Sequence, residues 1–529
     1  MKFQKSLRVM LVFVLCFSFI LPQVSGAELT STEPNVRIGV VPDAKSIKIG
    51  SNSAFTISDK ATGEELFTGL KSEVDVTLIS TADIKTNNWL QTAYSGSQVY
   101  IDNWLALADL HGFTTYLEPH PTLNGYRLLI GGLPSDATTE EKNNFRQDVI
   151  SKGLANSDSF WRLITTTEGE TILKISNNTT EVYTSNPVTI VSPNGLVKMG
   201  GKQYRGSGEV GFNSGGTLAG INIVALDDYV QGVVPHELPP VPFGGIAAVE
   251  AQKAQAVAAR TYALNNLGKH NTNGYDLLPT TADQVYGGYD AEHPISTQAV
   301  RETAGIVATY EGKLITTVYH STSGGYTANN EDIWNSPAVP YLRGVPDAER
   351  GKAAANVPSL TVFKNHSNPT SLRAAKEGDF EADWSRYHRW TYEWSAEEIS
   401  EVISTRFNTD VGKVLEINVL ERSDSGRVFE IEFVTENGTF SEKKDRIRWA
   451  LQYINASGNQ SPLWSTLFFI EPVIERKSKE VTGFKVYGGG WGHGIGMSQT
   501  GAVGMAVKGA TYEEILKHYY QGIDLELYY

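Results

Sequence analysis

Apolar and polar residues alternate at the start of the chain. VRIGVV (36–41), SIKIG (46–50) and SAFTIS (53–58) each put every second side chain on one face and predict strands. The rhythm changes between residues 98 and 165. QVYI (98–101) reads as a strand, DNWLALADLHG (102–112) as a helix stopped by Gly112, and FTTYLEP and YRLLIGGLP as two more strands. TTEEKNNFRQDVISKG (138–153) predicts a helix capped by Thr138 or Thr139, and DSFWRLIT (158–165) a closing strand. That βαββαβ order predicts a small split module with two helices on one face of a sheet.

From residue 180 the pattern is one of short strands and turns: EVYTS, PVTIVS, GLVKMG, KQYRGSGEVGFNSGG and LAGINIVALDDYVQGVV. Asn194-Gly195 and Glu311-Gly312 predict hairpin turns. An alanine-rich stretch predicts a long helix over 246–266 with Gly268 beyond its end. KVLEINVLERSDSGRVFEIEFVTENGTF (413–440) predicts a hairpin pair, 401–406 a helix, and TYEEILKHYY (511–520) a short helix near the C-terminus. The whole reads as an α+β protein. A β-rich C-terminal domain (180–529) holds the alanine-rich helix, preceded by the βαββαβ module (98–165) and an N-terminal β-rich segment (27–97).

Composition adds a compartment. Lys2, Lys5 and Arg8 precede an apolar run over 9–21 that is short for a membrane span, and small residues follow, so 1–26 reads as a secretory signal peptide. Cys16 lies inside that run and is the only cysteine, so disulfides and thiolate metal sites are excluded from the remainder. The formal charge is −14, and loss of the three signal cations makes the rest more negative, which argues against nucleic acid and anionic membranes as partners. A secreted or cell-wall protein is expected.

Three stretches could carry chemistry. PHELPP sets Glu237 between Pro235 and Pro239 in an apolar turn, where a carboxyl pKa rises and the group can act as an acid near neutral pH. An exposed loop glutamate is the plain alternative, and no second carboxylate stands at a spacing that marks a partner. Lys253 and Arg260 lie two turns apart on one face of the alanine-rich helix, either orienting a ligand or forming ordinary surface ion pairs. HSTSGG brings His320 and Ser321 into a turn that can gather groups on a ligand. GGGWGHGIGMSQTGA places glycine at alternate positions from 488 to 496, which as an extended strand leaves Trp491 and His493 on the opposite face, with Gln499 following. No metal-binding spacing involves His320 and His493, and no cofactor is expected.

Several of these motifs occur together and in order. LDDYVQGVVPHELPP, EAQKAQAVAARTYAL, DQVYGG, YHSTSGGYT, PYLRGVPD, SDSGRVFEI, DRIRWAL, LWSTLFF, GGGWGHGIGMSQTGA and YEEILKHYYQG resemble the family of stage II sporulation protein D and the amidase enhancer LytB. The resemblance covers the chain from about residue 222 to its end. It implies a lytic transglycosylase acting on peptidoglycan glycan strands stripped of stem peptides, with Glu237 as the one catalytic acid/base. Lys253, Arg260, His320, Ser321, His493 and Gln499 are then substrate-binding candidates. Some relatives hold zinc through a histidine matched by His320 and two cysteines; Ser323 stands in place of one of them. The βαββαβ module resembles the sporulation-related repeat that binds glycan. The cleavable signal and N-terminal third are closer to the amidase-enhancer branch, so the rival expectation is a non-enzymatic modifier that stimulates a cell-wall amidase. A purely structural wall-binding protein is a third.

Overall fold

A computed structural model describes residues 32–80, 83–120, 125–168, 171–240, 248–349, 380–381 and 385–529. The signal-peptide expectation for 1–26, and part of the PPVPFGG stretch after Glu237, lie outside these residues.

A ten-stranded antiparallel sheet organises the first half. Its spatial order is Asn35–Ala44, Leu218–Ala225, Ser207–Phe212, Val188–Val191, Ser46–Asp59, Glu65–Ser80, Thr171–Ser176 and Glu181–Thr184, with Leu196–Met199 and Lys202–Arg205 off this path. Strands from 35–80 therefore pair with strands from 171–225: Val36 lies opposite Val224, and Val76 opposite Ile175. Alternating residues such as Ile38, Ile49, Ile57 and Val76 point inward and build the largest core cluster. SIKIG and SAFTIS are parts of one long strand. Asn194-Gly195 turns the chain, but the strands it joins do not pair with each other; both run against Ser46–Asp59.

Between the strands Glu65–Ser80 and Thr171–Ser176 stands a separate four-stranded sheet, ordered Thr115–Pro119, Tyr126–Pro134, Asp83–Ser95, Phe160–Glu168. Helices α1 (Gln98–Leu110) and α2 (Thr139–Ser151) pack on it through Ile101, Trp104, Ala108 and Val149. QVYI is the first turn of α1 and not a strand, because the Ser97 hydroxyl caps Tyr100 N–H; the leading strand lies upstream, at Asp83–Ser95.

The second half is built on helices α3 (Leu226–Glu237), α4 (Val249–Asn265) and α5 (Pro294–Glu302). LDDYVQGVV, expected to prolong a strand, is helical. Asp227 and Asp228 complement the positive N-terminal end, and Tyr229, Val230, Val233 and Val234 are buried. Pro235 sits in the last turn, and Leu238 N–H still reaches Val234 O at 2.9 Å. Alanines at 251, 254, 256, 258, 259 and 263 bury α4 nearly all round, so α3, α5 and the helices Gln499–Val507 and Tyr512–Tyr519 approach it closely. Two three-stranded sheets follow, Trp390–Ser395 with Val481–Gly488 and Phe468–Ile474, and Val414–Arg422 with Val428–Thr435 and Gly438–Lys443. The second contains the expected hairpin. Among the described residues no helix is long and apolar enough to cross a membrane.

Candidate active site

Glu237 ends helix α3, half-buried rather than exposed in a loop. Its Oε1 accepts the Val285 N–H at 2.6 Å, and the Tyr319 hydroxyl and Gln499 amide stand close enough to the carboxyl to pull its pKa down. Donor accounting orders the surroundings. Tyr229 OH donates to Gln284 Oε1 at 3.1 Å, and Gln284 Nε2 donates to Tyr319 OH at 3.0 Å, so the Tyr319 proton is left for Glu237. Burial pushes the Glu237 carboxyl above its ordinary value, against the three hydrogen bonds that pull it down. The group is thus held in one orientation and biased toward its neutral form.

Tyr319 and Gln499 arrive together because the strands Tyr319–His320 and Met497–Ser498 pair in parallel, Tyr319 beside Met497 and His320 beside Ser498. Gln499 begins the next helix, and its Nε2 also donates to Gln255 Oε1 on α4 at 3.3 Å. The Gln255 amide nitrogen is buried without a partner.

The remaining expected site residues lie elsewhere. Arg260 is fully buried: its Nε donates to Asp227 at 2.7 Å and its Nη1 to Ile306 O at 3.0 Å. It braces the N-terminal turn of α3, the helix that Glu237 ends. Lys253 pairs with Glu250 and Glu302, each at 2.8 Å. Both cations thus have the ordinary ion-pair partners that sequence reasoning kept open, although Arg260 is not on the surface. His320 and His493 face each other at 5.6 Å between ring centroids, one strand position from Tyr319. His320 Nδ1 meets Ile495 O at 3.1 Å, and burial drives its pKa far down. His493 accepts the Ile495 N–H, packs 5.0 Å from the Trp334 ring, and is pushed down to about 3 by burial. Burial thus disfavours the charged form of both rings. Ser321 O accepts the Thr500 N–H, which ties the two motif loops together.

The glycine run is not an extended strand. Gly490, Gly492, Gly494 and Gly496 all have positive φ, which only glycine adopts freely in alternation. The close approach expected of it does occur: a Cβ on Gly494 would lie 2.5 Å from the Arg427 guanidinium, and one on Gly496 2.1 Å from Val318 O. Arg427 is buried, with Nη1 on Tyr326 O and Nη2 on Ser323 O, both at 2.8 Å. Trp491 does reach the surface, 39% exposed, 4.3 Å from the Tyr387 ring.

The residues do not fit the zinc site of some relatives. The Ser323 hydroxyl donates to Asp347 Oδ2 at 2.6 Å, and the described residues hold no group of three or more His, Cys, Asp or Glu placed for a metal.

Tyr319, Gln284 and Gln255 were missed by sequence reasoning. The first two lie in motifs already visible, YHSTSGGYT and DQVYGG, but a tyrosine ending a strand and a glutamine before an apolar pair look like packing residues. Only the pairing of the strand Tyr319–His320 with Met497–Ser498 brings Tyr319 and Gln499 to Glu237 together.

Fold and site define an α+β domain built around one half-buried carboxyl group with three donors. The chain carries a domain of the stage II sporulation protein family: that family model matches residues 214–310, which include Glu237, Lys253, Arg260 and Gln284. A model described only as a domain of unknown function matches residues 328–496. The chain is 31% identical over 316 residues to the amidase enhancer of Bacillus subtilis (strain 168), a match covering 56% of this chain and 40% of that protein. It is 29% identical over 317 residues to stage II sporulation protein D of Bacillus amyloliquefaciens, covering 57% and 74%. It is also 27% identical over 319 residues to stage II sporulation protein D of Bacillus subtilis (strain 168), again 57% and 74%. The matched part thus spans less than half the length of the amidase enhancer.

Proposed function

We propose that this is an exported cell-wall protein that cleaves peptidoglycan glycan strands by lytic transglycosylation, with Glu237 as acid and base. The observation that carries the reading is the Glu237 carboxyl itself, with its pKa raised by burial and its orientation fixed by Val285, Tyr319 and Gln499. Neutral Glu237 gives its proton to the oxygen leaving the anomeric carbon of N-acetylmuramic acid as that bond breaks. The carboxylate then takes the proton of the muramyl primary hydroxyl as its oxygen bonds the same carbon. The products are an anhydro-muramyl end and a free N-acetylglucosamine hydroxyl, and no water is consumed. One carboxyl serves both steps, which accords with the lack of a marked second acid. Arg260 acts as a positioning residue through Asp227, while His320, Ser321 and His493 shape the loops beside Tyr319. The four-stranded module binds glycan and keeps the chain on its polymer. No cofactor is required, and nucleic acid has no part.

Incubating the mature chain with amidase-treated glycan strands and reading the products by mass spectrometry tests this. Anhydro-muramyl ends should form and should fall by about 10²- to 10⁴-fold in Glu237→Gln. Retained glycan binding with no cleavage by the unaltered chain overturns it. That outcome would favour a second reading, a non-enzymatic modifier that stimulates a cell-wall amidase. The amidase enhancer among the relatives supports it, and a coupled amidase assay measures it directly.

A further inference from the structure

One segment both holds Glu237 and leads away from it. Gln284 and Val285 bind the Tyr319–Glu237 pair, and the chain then turns through Gly287 and Gly288 into the 3-10 turn Tyr289–Ala291. His236, the residue before Glu237, packs on this turn: a Cβ at Gly287 would stand 2.2 Å from His236 Nε2 and 2.4 Å from Ala291 Cβ. Val285 and Tyr289 are at most about 14 Å apart along the chain, a span a few linked sugar rings cover.

Beyond the turn opens a cleft of about 810 Å³, lined by Arg205, Tyr289, Asp290 and Glu292 on one side and by the His293, Pro294, Thr297, Gln298, Arg301 and Glu302 face of α5 on the other. Its size suits a small ligand or part of a polymer. The first wall is preorganised. Arg205 grips Glu292 with Nε and Nη2, at 2.5 and 2.7 Å, and lies 4.9 Å over the Tyr289 ring. Asp290 accepts from both Gln203 N–H and Gln203 Nε2 at 2.9 Å. On the opposite wall Glu302 is taken by Lys253 at 2.8 Å and by Gln298 at 2.7 Å. Every acid of the cleft therefore has a donor, while Arg301 has no ion-pair partner among the described residues. An open guanidinium, a fixed aromatic ring and the Thr297 hydroxyl make a wall for a sugar that carries a carboxylate.

We propose that this cleft is a second glycan site, in which Arg301 binds the carboxylate of an acidic sugar several rings from the bond held at Glu237, with Tyr289 beneath the ring. The inference rests on the glycan-cleavage reading: removal of stem peptides leaves each muramyl residue with a free lactyl carboxylate. The enzyme would then select stripped strands by charge, at a place remote from the reacting atoms. Lys253 acts on this cleft through Glu302, which gives it a positioning role apart from Glu237.

The test uses the full mature chain carrying Glu237→Gln, so that ligands stay intact. It is titrated calorimetrically at fixed ionic strength with amidase-treated glycan oligomers, with the same oligomers after reduction of their carboxylates to alcohols, and with neutral chitotetraose. Adding Arg301→Gln should weaken binding of the carboxylate-bearing oligomers about tenfold and change the other two less than twofold, while Arg301→Lys restores part of the loss. The melting temperature should not move, since Arg301 is exposed. Unchanged affinity in Arg301→Gln, or equal loss for the reduced oligomers, overturns the proposal and leaves the reading of Glu237 standing. Failure to bind any glycan overturns both.

Discussion

Two groups of carboxylates in this protein are each held by more than one hydrogen-bond donor and differ in how far they are buried. Glu237 takes three donors and remains half-buried. Glu381 accepts Gly324 N–H at 2.7 Å, Ser323 N–H at 3.1 Å, Thr500 Oγ1 at 2.8 Å, Ser498 Oγ at 3.2 Å, and meets His388 at 3.0 Å, with no exposed surface. Its neighbour Asp347 binds Ser323 and Tyr519, both at 2.6 Å, and is also sealed. A carboxylate offers about four acceptor positions; Glu237 meets three donors in a residue that is only half-buried, while Glu381 spends all of its own tying HSTSGG to the SQT turn and to residues 385–388. Donor number therefore does not separate the proposed acid from a structural one here. Incomplete burial does.

The largest expected effect follows from that contrast. Glu381→Ala strands several buried donors at the junction of three segments and should lower stability by about 3–5 kcal/mol in urea denaturation. Glu237→Gln keeps the shape and one acceptor oxygen, and should change stability by less than about 1 kcal/mol while removing cleavage. Equal losses in the two variants would show that both acids are structural.

The same contrast explains what could be read from the sequence. Residue order offered Glu237 as an acid beside a plain loop reading, the family resemblance brought Glu237 and Gln499 forward, and the alternating strands and the hairpin at 413–440 followed from period. Residue order could not tell that PHELPP ends a helix, because Pro235 reads as a breaker until the buried face of α3 is seen to hold the last turn. Arg260 on an alanine-rich helix looked available to a ligand, and only the packing of α3 and α5 against that helix shows it enclosed. GGGWGHG looked extended because alternation is the mark of a strand; four positive φ values use the same glycines for a fold no other residue permits. Glu381 itself carried no signal, since its partners come from positions more than a hundred residues apart.

A smaller effect sharpens the Glu237 side. Tyr319→Phe removes one donor and keeps the ring, so kcat/KM should fall about tenfold, the scale of one hydrogen bond to a charged group. The pH profile separates this from loose packing. Tyr319 holds the Glu237 pKa down, so its removal raises that pKa further. A general acid works while protonated; the alkaline limb should therefore move to higher pH in Tyr319→Phe. A limb that stays in place would place Tyr319 outside the acid's environment.

A last effect, read in stability alone, tests the sealed side. Burial, and then the charge of Glu381, raise Asp347 from its ordinary 3.8 to about 7. Its folded-state pKa thus exceeds the unfolded one, so the native state holds the extra proton and the Asp347 contribution to stability is complete below pH 3.8. It is lost as pH rises through about 7 and changes little above that. Asp347→Asn cannot ionise, and its carbonyl oxygen still accepts from Ser323 or Tyr519. Denaturation midpoints measured between pH 4 and pH 8 should fall more steeply for the unaltered chain than for Asp347→Asn, with the two curves parallel at higher pH. Parallel curves throughout would mean that Asp347 ionises in the folded state at its ordinary pKa, and the distinction between a sealed acid and an open one would then rest on geometry alone.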